Sequence, residues 1–232
     1  MARLSKELHD EIMQRVTENV FEEYGLRGSK QYWFDDQHWY TIRIEFFERY
    51  ARFPQDRPQG CCVYVAVIFH WDESGTGLDI SGSVFYPFKG KKRFENDVEL
   101  LAKRSLKSTL ELRQSLSNLK TARKTMLKSK YYGGNAHRNY HLGIICGLNG
   151  LEEEAIQHFD SISNSPLTDN STESFKKKAA ELKTELKDLD GFRRKIDELV
   201  SDTREEMKIK QLNWPDELKT RVQTPVLFAQ IG

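Results

Sequence analysis

The stretch NYHLGIICGLNGLEEEAIQHFDSI, residues 139–162, predicts two short helices joined by a tight turn. Its first half is rich in small and apolar residues, and its second half is acidic and amphipathic. Gly150 separates the halves, at a position where glycine commonly ends one helix before another begins. Because this helix pair lies between two longer helical segments, it decides how the C-terminal part of the chain is organised.

The flanking segments predict two long helices with a coiled-coil seam. Apolar and small residues recur at alternating spacings of four and three through residues 94–129 and again through residues 172–210. At 1.5 Å per residue these helices would span ~54 and ~58 Å. Their matched lengths predict an antiparallel hairpin, with the short helix pair as its turnaround. Gly191 predicts a kink in the second long helix.

Upstream of residue 90 the pattern predicts one helix followed by a sheet. Residues 5–24 carry apolar side chains at helical spacing, and Gly25 ends the predicted helix. Four segments of alternating aromatic and β-branched residues follow, at 30–34, 39–47, 61–71 and 81–88. The expected fold is therefore α+β, with an N-terminal helix packed on a four-stranded antiparallel sheet, followed by a long antiparallel, coiled-coil-like helical hairpin.

This pattern predicts two domains. Residues 1–90 form the expected α+β head domain. Residues 91–232 form the expected helical hairpin, which includes the repeat-like helix pair at 131–165 and a C-terminal docking tail at 213–232. The apolar run at 226–231 is expected either to add a strand to the sheet or to be covered by a partner.

The helix pair resembles a tetratricopeptide repeat. The small and apolar signature positions of that family are matched by Leu142, Gly143, Gly150, Ala155 and Phe159. Asn139 and Cys146 stand where the family has aromatic residues, and no neighbouring copy is found at a 34-residue offset. Since the family's peptide groove needs about three stacked repeats, the resemblance implies a packing hairpin rather than the family's binding activity. The head domain is similar, in its order of elements, to bacterial domains of unknown function.

Composition and charge exclude several classes of protein. The chain has 232 residues, of which 38% are hydrophobic and 31% charged, and a net charge of +1, so there is no global attraction to nucleic acid or membrane. No segment approaches a membrane span or a signal peptide. Three cysteines, two of them adjacent, make a poor disulfide framework. We expect a cytoplasmic protein with no membrane partner and no cofactor.

Two groups of residues could support chemistry. Carboxylate and imidazole groups that can activate a water occur in a predicted turn and at a strand end. They are Asp35, Asp36, His38, His70, Asp72 and Glu73. His137 and His141 lie one helical turn apart, as in many metal sites, but we interpret them as partly exposed polar residues at a helix start. No catalytic or metal-binding residue is assigned, and whether the six residues converge stays open.

Charge segregation is the strongest functional indication. Residues 103–130 carry nine basic residues against one acid, Glu111, whereas residues 173–206 carry ten acids against nine bases and cannot neutralise them. The basic residues are the candidate binding surface: Lys103, Arg104, Lys107, Arg113, Lys120, Arg123, Lys124, Lys128 and Lys130. Such a face either keeps the helix soluble or follows a phosphate backbone.

The function expected from these features is a non-enzymatic protein-protein interaction or scaffold module with an unidentified protein partner. One alternative is a nucleic-acid-associated protein that uses the basic face at 103–130. Another is a hydrolase with its site in the sheet domain. A homodimer stays open, since a coiled-coil seam can close within one chain or between two.

Overall fold

A computed structural model of the protein describes residues 6–47, 60–72, 77–80, 85–131, 134–163 and 170–206. Within these ranges the chain is α+β, as predicted, and contains seven α-helices and an antiparallel sheet. The predicted docking tail at 213–232 lies outside the described residues. No helix in the described ranges is long and apolar enough to cross a bilayer.

The helices are α1 (Lys6–Phe21), α2 (Lys91–Ser115), α3 (Leu119–Lys128), α4 (Gly134–Leu148), α5 (Glu152–Ser163), α6 (Asn170–Glu185) and α7 (Leu189–Glu206). The strands are β1 (Arg27–Ser29), β2 (Tyr32–Asp36), β3 (Tyr40–Phe47), β4 (Gly60–Phe69), β5 (Gly77–Asp79), β6 (Tyr86–Pro87) and β7 (Lys130–Tyr131). The described strands follow the order β1-β2-β3-β4-β5-β7, with β6 paired to β4. The prediction of four strands was therefore wrong, because it missed the short strands β1, β5 and β7.

The chain divides into two compact units, and the division does not follow chain order. Unit one comprises Met1–Asp36, Thr41–Val67 and Ile80–Leu112. Unit two comprises Gln37–Tyr40, Ile68–Asp79 and Arg113–Gly232. The predicted domain boundary near residue 90 stays a prediction.

Unit one contains the N-terminal helix and most of the sheet. Helix α1 is followed by a short 3-10 turn that ends at Gly25, whose φ of 79° lies in the left-handed region that glycine tolerates best. Phe21 packs against Trp33 and Phe46, with ring centroids 5.2 and 6.2 Å apart. An ion pair of 2.8 Å between Arg15 and Glu95 joins α1 to α2.

Neither predicted long helix is continuous. A three-residue break at 116–118 separates α2 from α3, and another at 186–188 separates α6 from α7. Helix α7 runs through Gly191 without ending, and the break in the predicted rod lies just before it, at 186–188. The extended hairpin predicted from the heptad spacing was therefore wrong in its main feature, since each rod is two shorter helices.

Capping residues explain the break between α2 and α3. The side chain of Asn118 accepts a hydrogen bond from the Thr121 backbone N–H at 2.9 Å, which satisfies a free donor in the first turn of α3. At the second break, the Asp188 carboxylate accepts from the Asp190 N–H at 3.1 Å. Both breaks therefore begin new helices with side chains that favour helix N-termini.

Helices α3, α5, α6 and α7 of unit two all contact α4, and consecutive helices alternate in direction. The start of α3 lies by the end of α4, because Asn149 Nδ2 donates to the Leu119 carbonyl at 3.1 Å. Phe175 of α6 packs on His137 of α4 with ring centroids 4.4 Å apart. The far ends of α4 and α6 also meet, since a Cβ added at Gly147 would lie 2.8 Å from Leu186. Helices α4 and α6 therefore run in the same direction.

Small residues on α4 allow two of its neighbours to approach closely. A Cβ added at Gly143 would lie 2.4 Å from the ring of Phe159 on α5. At Gly147 it would lie 2.7 Å from the ring of Phe192 on α7. Both contacts are shorter than van der Waals distance, so α4 can hold these rings only where it has no side chain of its own.

Helices α3, α5 and α7 share the same preceding break and the same buried positions. Helices α3, α5 and α7 begin at residues 119, 152 and 189, and each follows a break of three residues. Counted from these starts, the fourth and eighth residues are buried in all three helices. These residues are Ala122 and Met126, Ala155 and Phe159, and Phe192 and Ile196. Helix α5 therefore shares its pattern of burial with α3 and α7, although the three helices differ in sequence.

Candidate functional site

The predicted acid–base residues are not all in one unit. Asp35 and Asp36 are buried at the end of β2 in unit one, whereas His38, His70 and Asp72 belong to unit two. Glu73 lies outside the described residues. Within unit two, His70 Nδ1 meets the backbone carbonyl of His38 at 2.5 Å. This contact is made by the backbone of His38 and not by its ring, so it does not pair the two imidazoles. His38 itself is an exposed residue.

Asp72 meets the two histidines of α4 that the sequence analysis treated separately. Its Oδ2 atom lies 3.3 Å from His141 Nε2 and 3.9 Å from His137 Nδ1. His141 is fully buried, and His137 is 8% exposed. The prediction that both histidines are partly exposed was therefore wrong. A segment after β4 and the first turns of α4 together build a buried polar cluster: Trp71, Asp72, His137 and His141.

The hydrogen bonds of this cluster fix the protonation of His141. The indole Nε1–H of Trp71 has no acceptor capacity and donates to His141 Nδ1 at 2.9 Å, so that nitrogen must present its lone pair. In a neutral imidazole the proton then lies on Nε2, which faces the Asp72 carboxylate. Burial lowers the pKa of His141, although Asp72 acts in the opposite direction. His141 is therefore a neutral Nε2–H imidazole that accepts from Trp71 and donates to Asp72.

Aromatic rings enclose the cluster. Trp71 stacks on Trp39 and Phe69, with centroid distances of 5.0 and 4.9 Å. Tyr131 of β7 stacks on His141 at 5.9 Å. The hydroxyl of Tyr140 donates to the Trp71 carbonyl at 3.4 Å. This low-dielectric surrounding strengthens the hydrogen bonds inside it and makes an unpaired polar group there costly.

A second contact joins the C-terminal helix to the same segment. Arg204 Nη1 of α7 donates to the His38 carbonyl at 2.9 Å and lies 3.1 Å from His70 Nδ1. His70 Nδ1 cannot donate to that carbonyl and also accept from Arg204. A nitrogen lone pair 2.5 Å from a carbonyl oxygen would be repelled, so we assign the proton to His70 Nδ1. His70 Nδ1–H and Arg204 Nη1–H then both donate to the His38 carbonyl. The carbonyl of His38 thus connects His70, which follows β4, to Arg204 of α7 within unit two.

This geometry limits what the cluster can do chemically. A general base needs a free nitrogen lone pair, and Trp71 already occupies the one that His141 has. A metal ligand needs a lone pair on the coordinating nitrogen, whereas Nε2 carries the proton. Among the residues that the structure describes, no three His, Cys, Asp or Glu side chains are arranged to hold a metal ion. The hydrogen bonds assign His141 a structural role.

The nine predicted basic residues are divided between the units. Lys103, Arg104 and Lys107 lie on the part of α2 that belongs to unit one, and the other six belong to unit two. Lys103 pairs with Glu99 at 2.5 Å, and Lys107 lies 3.9 Å from Glu111. Residues 103–130 would span ~40 Å as one continuous helix. The break at 116–118 interrupts this expected basic helix.

Helix α3 retains a smaller basic stripe. Lys120, Lys124 and Lys128 are exposed and lie four residues apart on one face. Arg123, by contrast, forms a close ion pair with Glu154 of α5, which holds α3 against the next helix pair. No acid occurs between Glu111 and Glu152, so this stripe has no acidic neighbour in the local sequence.

A shallow groove lies between α5 and α6 in unit two. It has a volume of about 390 Å³ and a mostly apolar lining. The lining residues are Phe159, Asp160, Ser163, Ala179, Ala180, Lys183, Thr184 and Lys187. Lys183 and Asp160 form an ion pair of 2.6 Å across it. The sequence analysis did not identify this groove, because it joins residues of two helix pairs that were expected to be a turnaround and a rod.

The three cysteines are buried and predicted to be unreactive. Burial raises the pKa of Cys61 to about 12 and also raises that of Cys146, and Cys62 is 8% exposed. Since the thiolate is the nucleophile, a disulfide reagent at pH 8 should modify less than one thiol per folded chain within minutes. In denaturant it should modify all three. Rapid modification of a thiol in the folded protein would show that these positions open.

Comparison with known proteins finds no matching family, no similar curated protein and no similar solved structure.

Proposed function

We propose that this chain is a non-enzymatic protein-binding scaffold, in which a short array of helix pairs presents a groove to a partner protein. The observation that supports this most directly is the recurrence of the three-residue break and of the same buried positions in α3, α5 and α7. Arrays of stacked helix pairs are stabilised by contacts between neighbours and characteristically bind proteins or peptides along their surface.

The resemblance of residues 139–162 to a tetratricopeptide repeat fits this proposal, with one difference. In such arrays the stacked helix pairs form a concave surface to which the partner binds. Here the first helix of the central pair, α4, is buried, and it contacts Trp71 and Asp72 of the same chain. We therefore propose that this face holds an internal segment, and that the groove between α5 and α6 is offered to the partner.

The nucleic-acid alternative is kept because of one observation, the exposed stripe of Lys120, Lys124 and Lys128 without a nearby acid in sequence. On this alternative, affinity for duplex DNA or RNA falls steeply with salt, and reversing the three charges abolishes binding. The hydrolase alternative stays a prediction: of its six residues, Asp72 lies 3.3 Å from His141 Nε2 in the buried cluster, and Glu73 lies outside the described residues.

The test is affinity capture from a cell extract with three immobilised forms of the full chain. They are the parent, Ala180→Glu in the groove, and Lys177→Glu as the matched control, since Lys177 is also exposed on α6 but does not line the groove. We expect a protein retained by the parent and by Lys177→Glu and reduced at least about tenfold by Ala180→Glu. Its binding is then measured with purified components. Failure to retain any protein above empty resin contradicts the proposal.

A further inference from the structure

We infer that the groove between α5 and α6 takes an acidic peptide segment that carries one bulky apolar side chain. This inference rests on the proposed function, because it names the chemistry of the partner that the scaffold would hold. Three features of the groove support it: its size, its apolar floor and the charge at its rim.

The floor of the groove is apolar and recessed. Phe159 and Ala179 are almost completely buried, and Ala180 is exposed beside them. Two consecutive alanines on α6 leave space where larger side chains would fill the cleft. The volume of about 390 Å³ is at the low end of ligand pockets, which suits one or two side chains of a peptide. An aromatic or large aliphatic side chain would gain most from burial there.

The charged side chains that line the groove are Asp160, Lys183 and Lys187. Lys183 is already paired with Asp160, so these two charges largely neutralise each other. Lys187 follows the end of α6, is exposed, and makes no ion pair with the described residues. Its charge is thus available to a carboxylate of the incoming segment. Ser163 and Thr184 donate their hydroxyl protons to backbone carbonyls, which leaves their oxygens as acceptors only.

Charge argues against the most obvious internal occupant. The C-terminal residues 207–232 are apolar at 226–231, but they carry four bases and two acids. These are Lys208, Lys210, Lys219 and Arg221 against Asp216 and Glu217. A net positive segment is a poorer complement to the rim at Lys187 than an acidic one is. We therefore commit to an acidic segment from a partner protein.

The experiment measures binding of labelled synthetic peptides to the full chain by fluorescence anisotropy. The probe peptide has a central leucine and phenylalanine flanked by glutamates, its charge twin has lysines instead, and its apolar twin has serines at the centre. We expect the probe to bind at least about tenfold more tightly than either twin at low salt. Lys187→Glu should weaken the probe about tenfold and Ala180→Glu at least as much, whereas Lys177→Glu should leave it within about twofold.

Three results would overturn the inference. Equal affinity for the probe and its charge twin would remove the acidic preference, and a Lys187→Glu variant that binds like Lys177→Glu would place the peptide elsewhere. A Phe228→Asp variant that binds the probe much more tightly than the parent would show that the chain's own C-terminal segment fills the groove. If these results occur while capture still depends on Ala180, the scaffold proposal stands and only the ligand chemistry fails. If the probe binds as expected but no protein is captured, the proposed function fails instead.

Discussion

Replacing Trp71 with alanine should lower the free energy of unfolding by about 3–5 kcal/mol, the range expected when a buried aromatic side chain is truncated to a cavity. Trp71 is 1% exposed and stacks on Trp39 and Phe69, so its removal opens the aromatic shell. The same change removes the donor to His141 Nδ1. Urea denaturation followed by circular dichroism measures the difference.

Trp71→Phe separates packing from hydrogen bonding. Phenylalanine keeps most of the aromatic contact but cannot donate to His141, so the expected cost is about 1–3 kcal/mol, close to that of an unsatisfied buried acceptor. Trp71→Phe also gives a measurement if Trp71→Ala does not fold at all. If Trp71→Phe and the parent have the same stability, the bond between Trp71 and His141 has no structural role.

Two glycine-to-alanine substitutions should have effects of opposite sign. Gly143→Ala should destabilise the protein by about 1–3 kcal/mol, because the new Cβ would meet the buried ring of Phe159 at 2.4 Å. This cost exceeds the gain of about 1 kcal/mol in helix propensity. Combining it with Phe159→Leu should recover part of the loss, with a coupling energy of about 1 kcal/mol or more in a double-mutant cycle.

Gly191→Ala is the matched control in α7. The closest atom to its new Cβ is Oδ2 of Asp188, at the end of a side chain that can rotate, so the helix propensity of alanine should prevail. We expect a gain of about 0.5–1 kcal/mol. Thermal or urea denaturation measures these differences in free energy for Gly143→Ala, Phe159→Leu, their combination and Gly191→Ala. Stabilisation by Gly143→Ala as large as that by Gly191→Ala would contradict the close packing of α4 on α5.

The sequence predicted the elements that are long and locally marked. Helix α1 ends near Gly25 as expected, and the alternating segments at 39–47 and 61–71 correspond to β3 and β4. The pair α4–α5 also follows its sequence pattern, with Gly150 in the turn between them. Strands β1, β5 and β7 have three residues or fewer, too few for an alternating pattern to be distinguished from a turn.

The broken rods show why periodicity alone was insufficient. Leu116 is the first residue of one break and Leu186 the first of the other, and Leu119 and Leu189 begin the helices that follow, so apolar spacing continues across both. Asn118 and Asp188 were the available signals, since both residue types favour helix N-termini. A three-residue break ends one helix and begins another, yet it disturbs the apolar pattern very little.

The buried cluster could not have been assembled from the sequence. HWDE at 70–73 and HRNYH at 137–141 each appeared as a separate polar motif. More than sixty residues separate Asp72 from His137, and their meeting depends on how α4 packs within unit two. In the sequence, Trp71 is only the last residue of the alternating segment at 61–71. Its role as a hydrogen-bond donor depends on the position of one histidine nitrogen.

The central claim of this account is that the histidine cluster holds unit two together instead of performing chemistry. Nitrogen NMR of His141, assigned with a His141→Gln variant, tests it most directly. Burial lowers the pKa of His141 below its ordinary 6.5. Just below pH 6.5, the unfolded state therefore binds more protons at this residue than the folded state does. Stability should therefore decrease as pH falls below about 6.5. We predict an Nε2–H ring that is neutral at pH 7, with a pKa below the ordinary 6.5, whereas an Nδ1–H ring, or a pKa near 7, would contradict the account.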